Sequence, residues 1–336
     1  MSRVQLLKRL LAGVVLVVGT GAPLHGQSPV LSQRADGSID VSPPPAGTVV
    51  RYTLDGSEPG RDSGIWLAPV DVPSGYVLKA RLFSADDTPS GELAVHESPL
   101  LAASTRRMST LVPVTQNRDW RTYDWVQRHA AAVALMRERQ PEIVMLGDSI
   151  THFWGGDPAG GPRNGPDEWD RFFAGRRVVN LGYGWDRTEN VLWRLTHGEF
   201  EDASPAVVVV MIGTNNVGIN TPEEIRAGIE EICRVIHERS PSTRILLLGV
   251  FPRGERPNPA RDTVVEINRQ IATLDGRDGI TYLDIGSRFV TADDSIARDV
   301  MADFLHPTAK GYTIWAEAMA PTLERLLAAR PAPVRD

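Results

Sequence analysis

Five short apolar runs recur through the second half of the chain, and polar segments with helical periodicity alternate with them. The runs are unbroken rather than alternating, as expected for parallel strands covered on both faces. They occupy Ile143–Leu146, Val178–Leu181, Ala206–Ile212, Ile245–Val250 and Ile280–Ile285. Helices are predicted at Tyr123–Gln140, Thr188–Leu195, Pro222–Ser240, Ala260–Leu274 and Ala309–Ala329. This alternation predicts an α/β fold with a doubly wound, five-stranded parallel sheet flanked by helices.

The first hundred residues have a different pattern, in which short strand candidates are separated by turn residues. Val49–Leu54 is one candidate and ends at Asp55-Gly56, a strong turn dipeptide. In Val77–Phe83 apolar and basic side chains alternate, as in a strand with one buried face. We therefore predict a small β-sandwich domain preceding the sheet domain. The predicted divisions are a β-sandwich over 27–100, a linker over 101–122, a flavodoxin-like α/β domain over 123–330 and a tail over 331–336.

Basic residues precede an apolar run at the N-terminus, which is the layout of a secretory signal peptide. Arg3, Lys8 and Arg9 come before the run Leu10–Val18. This run is about half the ~20 residues that span a bilayer, so cleavage near Gly26 is favoured over an uncleaved anchor. We expect residues 1–26 to be removed and the protein to be periplasmic or extracellular, with no stable membrane association.

Composition and charge narrow the classes of partner. Hydrophobic residues make up 42% and charged residues 23% of the chain, as in ordinary soluble globular proteins. The formal net charge is −6 and there is no basic stripe, so nucleic acid is not an expected partner. Cys233 is the only cysteine, and its apolar helical surroundings predict a buried free thiol. No histidine cluster has metal-ligand spacing, so no metal or cofactor is expected, and the sequence specifies no oligomeric state.

Candidate chemistry begins at Gly147-Asp-Ser149, immediately after the first apolar run of the α/β region. In such sheets ligands bind beyond the carboxyl ends of the strands, so Ser149 would lie at the functional edge. A serine nucleophile needs a base and an orienting acid, and Asp303 and His306 supply both after the last strand. Each motif alone has an ordinary explanation as a turn. His152 is near Ser149 but has no acid close to it in sequence.

Two further strand ends carry groups that could stabilise an oxyanion. Gly213-Thr-Asn-Asn216 follows the most apolar strand, and the side-chain amide of Asn215 is a candidate donor. The stretch Asn180 to Leu195 begins with a glycine-bearing loop that could bring backbone N–H groups to the same edge. A phosphate-binding function is not indicated, because Arg187 stands where G-x-G-x-x-G requires its third glycine.

Together these four motifs resemble the SGNH (GDSL) hydrolases, most closely the alpha-type subunits of platelet-activating-factor acetylhydrolase and related bacterial carbohydrate esterases. The resemblance implies a serine hydrolase in which Ser149 is the nucleophile, His306 the base and Asp303 the acid that orients it. It also implies an oxyanion hole formed by the amides of Ser149 and Trp185 and the side chain of Asn215.

Trp185 departs from the family pattern, which usually has a glycine before the aspartate. A backbone N–H group survives this change, provided that the local φ suits a side chain. The indole could instead narrow the acyl pocket. The resemblance covers about Tyr123 to Leu327.

The residues around Ser149 indicate a short acyl group on a polar alcohol. Trp154, Trp185, Arg187 and Glu189 are candidate substrate contacts, although packing for the tryptophans and mutual pairing for the charged residues are equally compatible with their positions. The loop Gly155 to Pro166 carries five glycines and three prolines, too polar to line a long acyl tunnel.

In the N-terminal part, Tyr52-Thr-Leu-Asp-Gly-Ser-Glu-Pro59 resembles the chitobiase C-terminal-like domain, a fibronectin-type module of many exported carbohydrate-active enzymes. This module is either a packing partner or a sugar-binding unit. Taken together, the motifs around Ser149 and the N-terminal module lead us to expect an esterase that acts on acylated small molecules or polysaccharides, with acetyl as the acyl group. The alternatives are a lipid or lysophospholipid esterase or thioesterase of the same fold, and a non-catalytic carbohydrate-binding protein.

Overall fold

The computed structural model describes residues 28–100 and 107–329. The predicted signal peptide, the first residues of the predicted linker and the predicted tail lie outside the described residues. No helix within the two described ranges combines the length and the apolar character needed to cross a bilayer.

The N-terminal domain consists of two small antiparallel sheets that share one core. The first sheet pairs β1 (Leu31–Gln33) with β2 (Ile39–Val41). The second contains β3 (Thr48–Thr53), β4 (Gly64–Ile65), β5 (Val77–Ser84) and β6 (Pro89–Glu97), in the spatial order β4-β3-β5-β6. Ile39, Tyr52 and Leu78 are among the inward-facing side chains of the shared core. The predicted β-sandwich is confirmed, but strands of two or three residues are too short to show an alternating pattern.

The second domain is built on a parallel sheet, as predicted. Its strands are β7 (Ile143–Gly147), β8 (Val178–Gly182), β9 (Val207–Met211), β10 (Arg244–Leu248) and β11 (Ile280–Leu283). Their spatial order is β11-β10-β9-β7-β8, which is the flavodoxin-like order. All residues of β7, β8 and β9 are buried, which explains why their sequences are continuously apolar.

Helices cover both faces of this sheet. They are α1 (Trp125–Arg139), α2 (Ser149–His152), α3 (Pro166–Phe172), α4 (Thr188–Arg194), α5 (Pro222–Arg239), α6 (Pro259–Ile271) and α7 (Ala309–Ala328). Side chains of α1, α4, α5 and α6 join the core on one face, and those of α3 and α7 join the core on the other. The two short helices α2 and α3 were not predicted, although Pro166 and the acids that follow it are a recognisable helix start.

Local signals fix the bounds of α5, as the sequence predicts. The Thr221 side chain accepts a hydrogen bond from the Glu224 N–H, and the Glu224 carboxylate accepts one from the Thr221 N–H. This reciprocal capping satisfies two N–H groups that the first turn leaves without helical partners. On the apolar face of the same helix, Cys233 is a buried free thiol, and burial raises its pKa to about 12. The prediction of an inert core cysteine is confirmed.

The strand order places a topological switch point at the carboxyl end of β7. The chain runs from β7 to β8 on one side of it and then crosses to β9 on its other side. The direction of the strand order therefore reverses at β7, and a crevice opens there. Ser149 begins α2 at this point. Close packing of the turn requires a glycine, because a Cβ atom at Gly147 would overlap the Thr151 side chain and the Met211 carbonyl.

A buried histidine connects α2 to the loop after β8. The Nε2 of His152 donates to the Gly160 carbonyl at 2.8 Å, and its Nδ1 accepts from the Gly184 N–H at 3.2 Å. Burial, assisted by the positive charge of Arg128, lowers the pKa of His152 to about 3. The ring is therefore neutral near pH 7, and in this form it can donate at one nitrogen and accept at the other.

We expect the unfolding free energy of the His152→Gln variant to fall less at acid pH than that of the wild type. An unfolded histidine takes up a proton below about pH 6.5, whereas the folded ring stays neutral until about pH 3. The contribution of His152 to stability is therefore fully present above pH 6.5 and is lost as pH falls toward 3, by about 1.4 kcal/mol per unit. Urea unfolding at about pH 8 and about pH 5 should show a drop in unfolding free energy about 2 kcal/mol smaller in the variant than in the wild type.

An identical acid loss in His152→Gln and wild type would contradict the assignment of this proton to His152.

Candidate active site

Ser149 lies directly beyond the carboxyl end of β7, at the first position of α2. The Oδ1 of Asp148 caps this helix by accepting a hydrogen bond of 2.9 Å from the Ile150 N–H. Burial raises the pKa of Asp148 to about 7. The Tyr312 hydroxyl of α7 donates to the Ile150 carbonyl at 2.8 Å, which fixes the short helix against the last one. Because Ser149 is in the first turn, its N–H has no helical acceptor and is available to a ligand.

The structure brings Ser149, Asp303 and His306 together at this edge. The Nε2 of His306 lies 2.9 Å from Ser149 Oγ, although the two residues are 157 positions apart. The Nδ1 of His306 lies 2.6 Å from Asp303 Oδ2. With the proton on Nδ1 facing the carboxylate, Nε2 can accept the proton of the serine hydroxyl.

Backbone contacts orient the carboxylate of Asp303. Its Oδ1 accepts hydrogen bonds from the N–H groups of Leu305 and His306, at 3.1 and 2.8 Å. Partial burial opposes ionisation, but the bonds from His306 outweigh it and lower the pKa of Asp303 below its ordinary value. Phe304 takes a left-handed φ of 62°, which turns the chain so that Asp303 and His306 meet. The Phe153 ring lies 5.0 Å from the imidazole and confines it on one side.

The loop between β8 and α4, residues 183–187, carries a second positive-φ residue. Trp185 has a φ of 62°, a conformation that costs a non-glycine residue about 1–2 kcal/mol. Its side chain is 52% exposed, so the indole faces solvent rather than the core. This φ is one that glycine adopts without strain, so Trp185 keeps the backbone N–H group of the family's glycine in a conformation that its own side chain disfavours.

Asn215 lies beside this loop, in the turn that follows β9. Its Nδ2 donates to the Asp186 carbonyl at 3.0 Å, and the Arg187 Nε donates to the Asn215 carbonyl at 3.2 Å. A side-chain amide has two hydrogens, and the bond to Asp186 uses one of them. Asn215 is thus held at the same rim of the sheet as Trp185.

A buried carboxylate anchors the 183–187 loop from below. Asp186 is fully buried and accepts hydrogen bonds from Gln116 Nε2 at 2.9 Å, Trp125 Nε1 at 2.9 Å and Arg194 Nε at 2.8 Å. Arg194 also pairs with Glu199 at 2.5 Å, and both side chains are buried. Buried charges are tolerated when their hydrogen bonds are satisfied in this way, so the position of the loop is closely fixed.

Trp154 is a core residue, which corrects the expectation that it contacts substrate. Its side chain is fully buried, with ring centroids 5.1 Å from Tyr312 and 4.8 Å from Trp315. Helix α7 supplies these two aromatic neighbours, and α3 adds Trp169 and Phe172. The position of Trp154 is therefore explained by packing in the core and not by contact with a substrate.

The two charged candidates are engaged mainly with the protein itself. Glu189 is 8% exposed, and its Oε2 accepts a hydrogen bond of 3.1 Å from Asn216 Nδ2. Arg187 Nη1 lies 3.9 Å from Glu189 Oε1, so the two residues form an ion pair with each other, which is the alternative to substrate binding given above. Arg187 keeps a partly exposed side chain at the rim, whereas Glu189 lies beneath it.

Sequence reasoning missed several residues that hold the site. Gln116 and Arg118 bond loop residues 68 and 67 positions away, and no local pattern signals such contacts. His152 was considered only as a base, whereas it accepts a bond from the Gly184 amide. Arg194 lies eight positions after Asp186, which precedes the helix that Arg194 ends, so no i,i+3 or i,i+4 spacing signals this ion pair.

Known proteins resemble this chain in sequence. The model of the GDSL-like lipase/acylhydrolase family matches residues 145–314, about half of the chain, and a model described as Fn3 associated matches residues 43–93. Human platelet-activating factor acetylhydrolase IB subunit alpha1 is 37% identical over 205 residues, which are 61% of this chain and 84% of that protein. The rat alpha2 subunit is 35% identical over 208 residues, which are 62% of this chain and 86% of that protein.

Among solved structures, a GDSL-like lipase from Bacteroides thetaiotaomicron has 20% sequence identity and a TM-score of 0.46, covering 58% of this chain and 94% of that one. The family match includes Ser149, Asn215, Asp303 and His306. A match of this length, with relatives more than 30% identical over most of their own sequence, shows that the chain belongs to the GDSL-like lipase/acylhydrolase family.

Proposed function

We propose that this protein is an exported serine esterase that removes short acyl groups, acetyl above all, from carbohydrates. Family membership supports the coarser statement that it hydrolyses esters. The observation that carries the proposal is the 2.9 Å contact between Ser149 Oγ and His306 Nε2, with Asp303 on the other side of the imidazole.

In the proposed reaction Ser149 Oγ attacks the ester carbonyl while His306 Nε2 takes the hydroxyl proton. The carbonyl carbon becomes tetrahedral, and its oxygen takes the negative charge. His306 then gives the proton to the departing alcohol as the carbon–oxygen bond breaks, which leaves an acyl group on Ser149. Water, deprotonated by the same imidazole, attacks this acyl-enzyme. His306 then returns the proton to Ser149 Oγ as the bond between Oγ and the acyl carbon breaks and the acid leaves. Asp303 stabilises the imidazolium in both halves.

The oxyanion would be stabilised by three donors at the sheet edge. They are the N–H groups of Ser149 and Trp185 and the unused Nδ2 hydrogen of Asn215. Donors of this kind typically contribute about 3–4 kcal/mol each to the stability of the transition state, provided that they are held in place before reaction. The bonds around Asp186 support such preorganisation, because they fix the loop that carries Trp185.

Two observations favour a short acyl group. The glycine- and proline-rich loop 155–166 is tied to the segment that carries His306, because Asn164 Nδ2 donates to the Pro307 carbonyl at 3.2 Å. A polar loop at this place offers no apolar tunnel for a long chain. The names of the similar mammalian proteins also specify an acetylhydrolase.

The proposed alcohol is a carbohydrate. The Trp185 indole is half exposed at the rim of the site, and flat aromatic faces with a polar edge suit the apolar faces of sugar rings. The match of the N-terminal domain to an Fn3-associated model is compatible with the fibronectin-type modules of exported carbohydrate-active enzymes. Export rests on the charged and then apolar layout of the first 26 residues.

Hydrolysis of 4-nitrophenyl esters of increasing chain length tests the acyl preference. We expect kcat/KM to be highest for acetate and to fall at least tenfold by the ten-carbon ester, because the polar loop leaves long chains without apolar contact. Acetate release from acetylated xylan tests the alcohol. A preference for long chains would instead establish the lipid esterase or thioesterase alternative.

Ser149→Ala should reduce kcat by about 10⁴-fold or more, because loss of the nucleophile removes the acyl-enzyme route. The matched control is Thr151→Val in the same helix, since the buried Thr151 hydroxyl has no hydrogen-bond partner among the residues that the structure describes. Thr151→Val should keep wild-type turnover, and circular dichroism should show both variants folded. Absence of ester hydrolysis in the wild type as well as in Ser149→Ala would point to the non-catalytic sugar-binding alternative, whereas equal turnover in both would exclude Ser149 as the nucleophile.

Trp185→Gly separates the backbone role of this residue from that of its indole. Glycine accepts the positive φ without strain and retains the N–H group, so kcat on 4-nitrophenyl acetate should stay within about threefold of wild type. KM for acetylated xylo-oligosaccharides should rise about tenfold, because sugar-ring contact is lost. An unchanged KM on the oligosaccharides would remove Trp185 from the proposed sugar site.

A further inference from the structure

We propose that Gln116 and Arg118 are positioning residues for acyl transfer: they hold the 183–187 loop so that the Trp185 N–H points at the oxyanion. They belong to the segment 114–118, which precedes α1 and lies outside the family match at residues 145–314. The inference concerns ester hydrolysis at Ser149 and does not depend on which ester is the natural substrate.

The loop needs external support because of the backbone conformation at its tip. Trp185 has a left-handed φ that a non-glycine residue adopts only when its surroundings enforce it. A small rotation toward the ordinary region would turn the adjacent N–H group away from the site. Hydrogen bonds to the carbonyl groups of Gly184 and Trp185 resist this rotation, because those carbonyls belong to the two peptide units that flank the residue.

Gln116 and Arg118 supply these bonds together with the Tyr123 hydroxyl, which also donates to the Gly184 carbonyl at 2.9 Å. Gln116 Nε2 donates to the Gly184 carbonyl at 2.9 Å as well as to the Asp186 carboxylate. Arg118 Nη2 and Nε donate to the Trp185 carbonyl at 2.9 and 3.3 Å. Burial, with the charge of Arg187 nearby, lowers the pKa of Arg118 to about 10, so its guanidinium is still a cation near pH 7. Its bonds to the loop are therefore charge-assisted.

The supporting segment is itself fixed. Gln116 Oε1 accepts a hydrogen bond of 2.6 Å from the Arg118 N–H, which shapes the turn between the two side chains. The backbone N–H of Val114 donates to Glu189, and the Val114 carbonyl accepts from Asn190 Nδ2 at 2.9 Å. Both partners lie in α4, directly after the loop.

The opposite side of the segment is attached to the β-sandwich. Thr115 Oγ1 donates to the Ile65 carbonyl at 2.7 Å, and Asn117 Nδ2 donates to the Arg61 carbonyl at 2.9 Å. Residues 115 and 117 thus bind the N-terminal domain, and residues 116 and 118 bind the loop. The segment is held on both sides and can act as a rigid support.

The test is Arg118→Met in the full chain, which keeps an unbranched apolar stem but removes both bonds to Trp185. With 4-nitrophenyl acetate, kcat should fall about tenfold to a hundredfold while KM stays within about twofold, because a donor that acts on the transition state is displaced. Arg118→Lys, which can place one charged donor at the same carbonyl, should recover part of kcat. Gln116→Met should act in the same direction as Arg118→Met.

The matched control is Arg121→Met, since Arg121 is an exposed arginine three positions further on that packs over Trp120. Hydrogen exchange of the peptide amides at 183–187, followed by mass spectrometry, gives a readout that does not require turnover. Exchange there should accelerate in Arg118→Met and stay at the wild-type rate in Arg121→Met. Unchanged exchange at the loop, or a rise in KM with kcat intact, would overturn the positioning role, whichever ester proves to be the natural substrate.

Discussion

The hydrogen bonds made by the buried carboxylate of Asp186 are the constraint on which the arrangement at the sheet edge depends. They join three parts of the chain, since Gln116 precedes α1, Trp125 begins α1 and Arg194 ends α4. Removing one member of a buried ion pair typically costs about 3–5 kcal/mol, because the other charge is left without compensation. Since Asp186 follows Trp185 directly, these bonds also set the geometry of the site.

The sheet and the three central residues could be predicted because their signals are local. Each of the five apolar runs became a strand whose ends lie within two residues of the predicted ones. Parallel strands bring their carboxyl ends to one edge, so Ser149 and His306 meet although 157 positions separate them. Asp303 is only three positions from His306, and a single left-handed residue between them, Phe304, is enough to bring the pair into contact.

The role of Trp154 and the contacts of Gln116 and Arg118 depend on packing between distant parts of the chain, and no short stretch of sequence predicts such packing. The sequence around Trp154 would be the same whether its side chain faced substrate or core, and the aromatic side chains of α3 and α7 that pack against it decide the outcome. Gln116 and Arg118 lie in a segment without periodicity, which therefore reads as a linker. Their partners are reached only after the chain has built α1, β7 and β8.

The alternation of contacts along 115–118 limits how the two domains can be joined. Successive side chains point to opposite sides, so Thr115 and Asn117 reach the β-sandwich while Gln116 and Arg118 reach the loop. Insertion or deletion of a single residue within this stretch would exchange the two sets and direct the amide and the guanidinium toward the wrong domain. The number of residues between the two domains is therefore fixed in this stretch. A chimera with a different N-terminal domain must keep the sequence from Val114 onward unchanged.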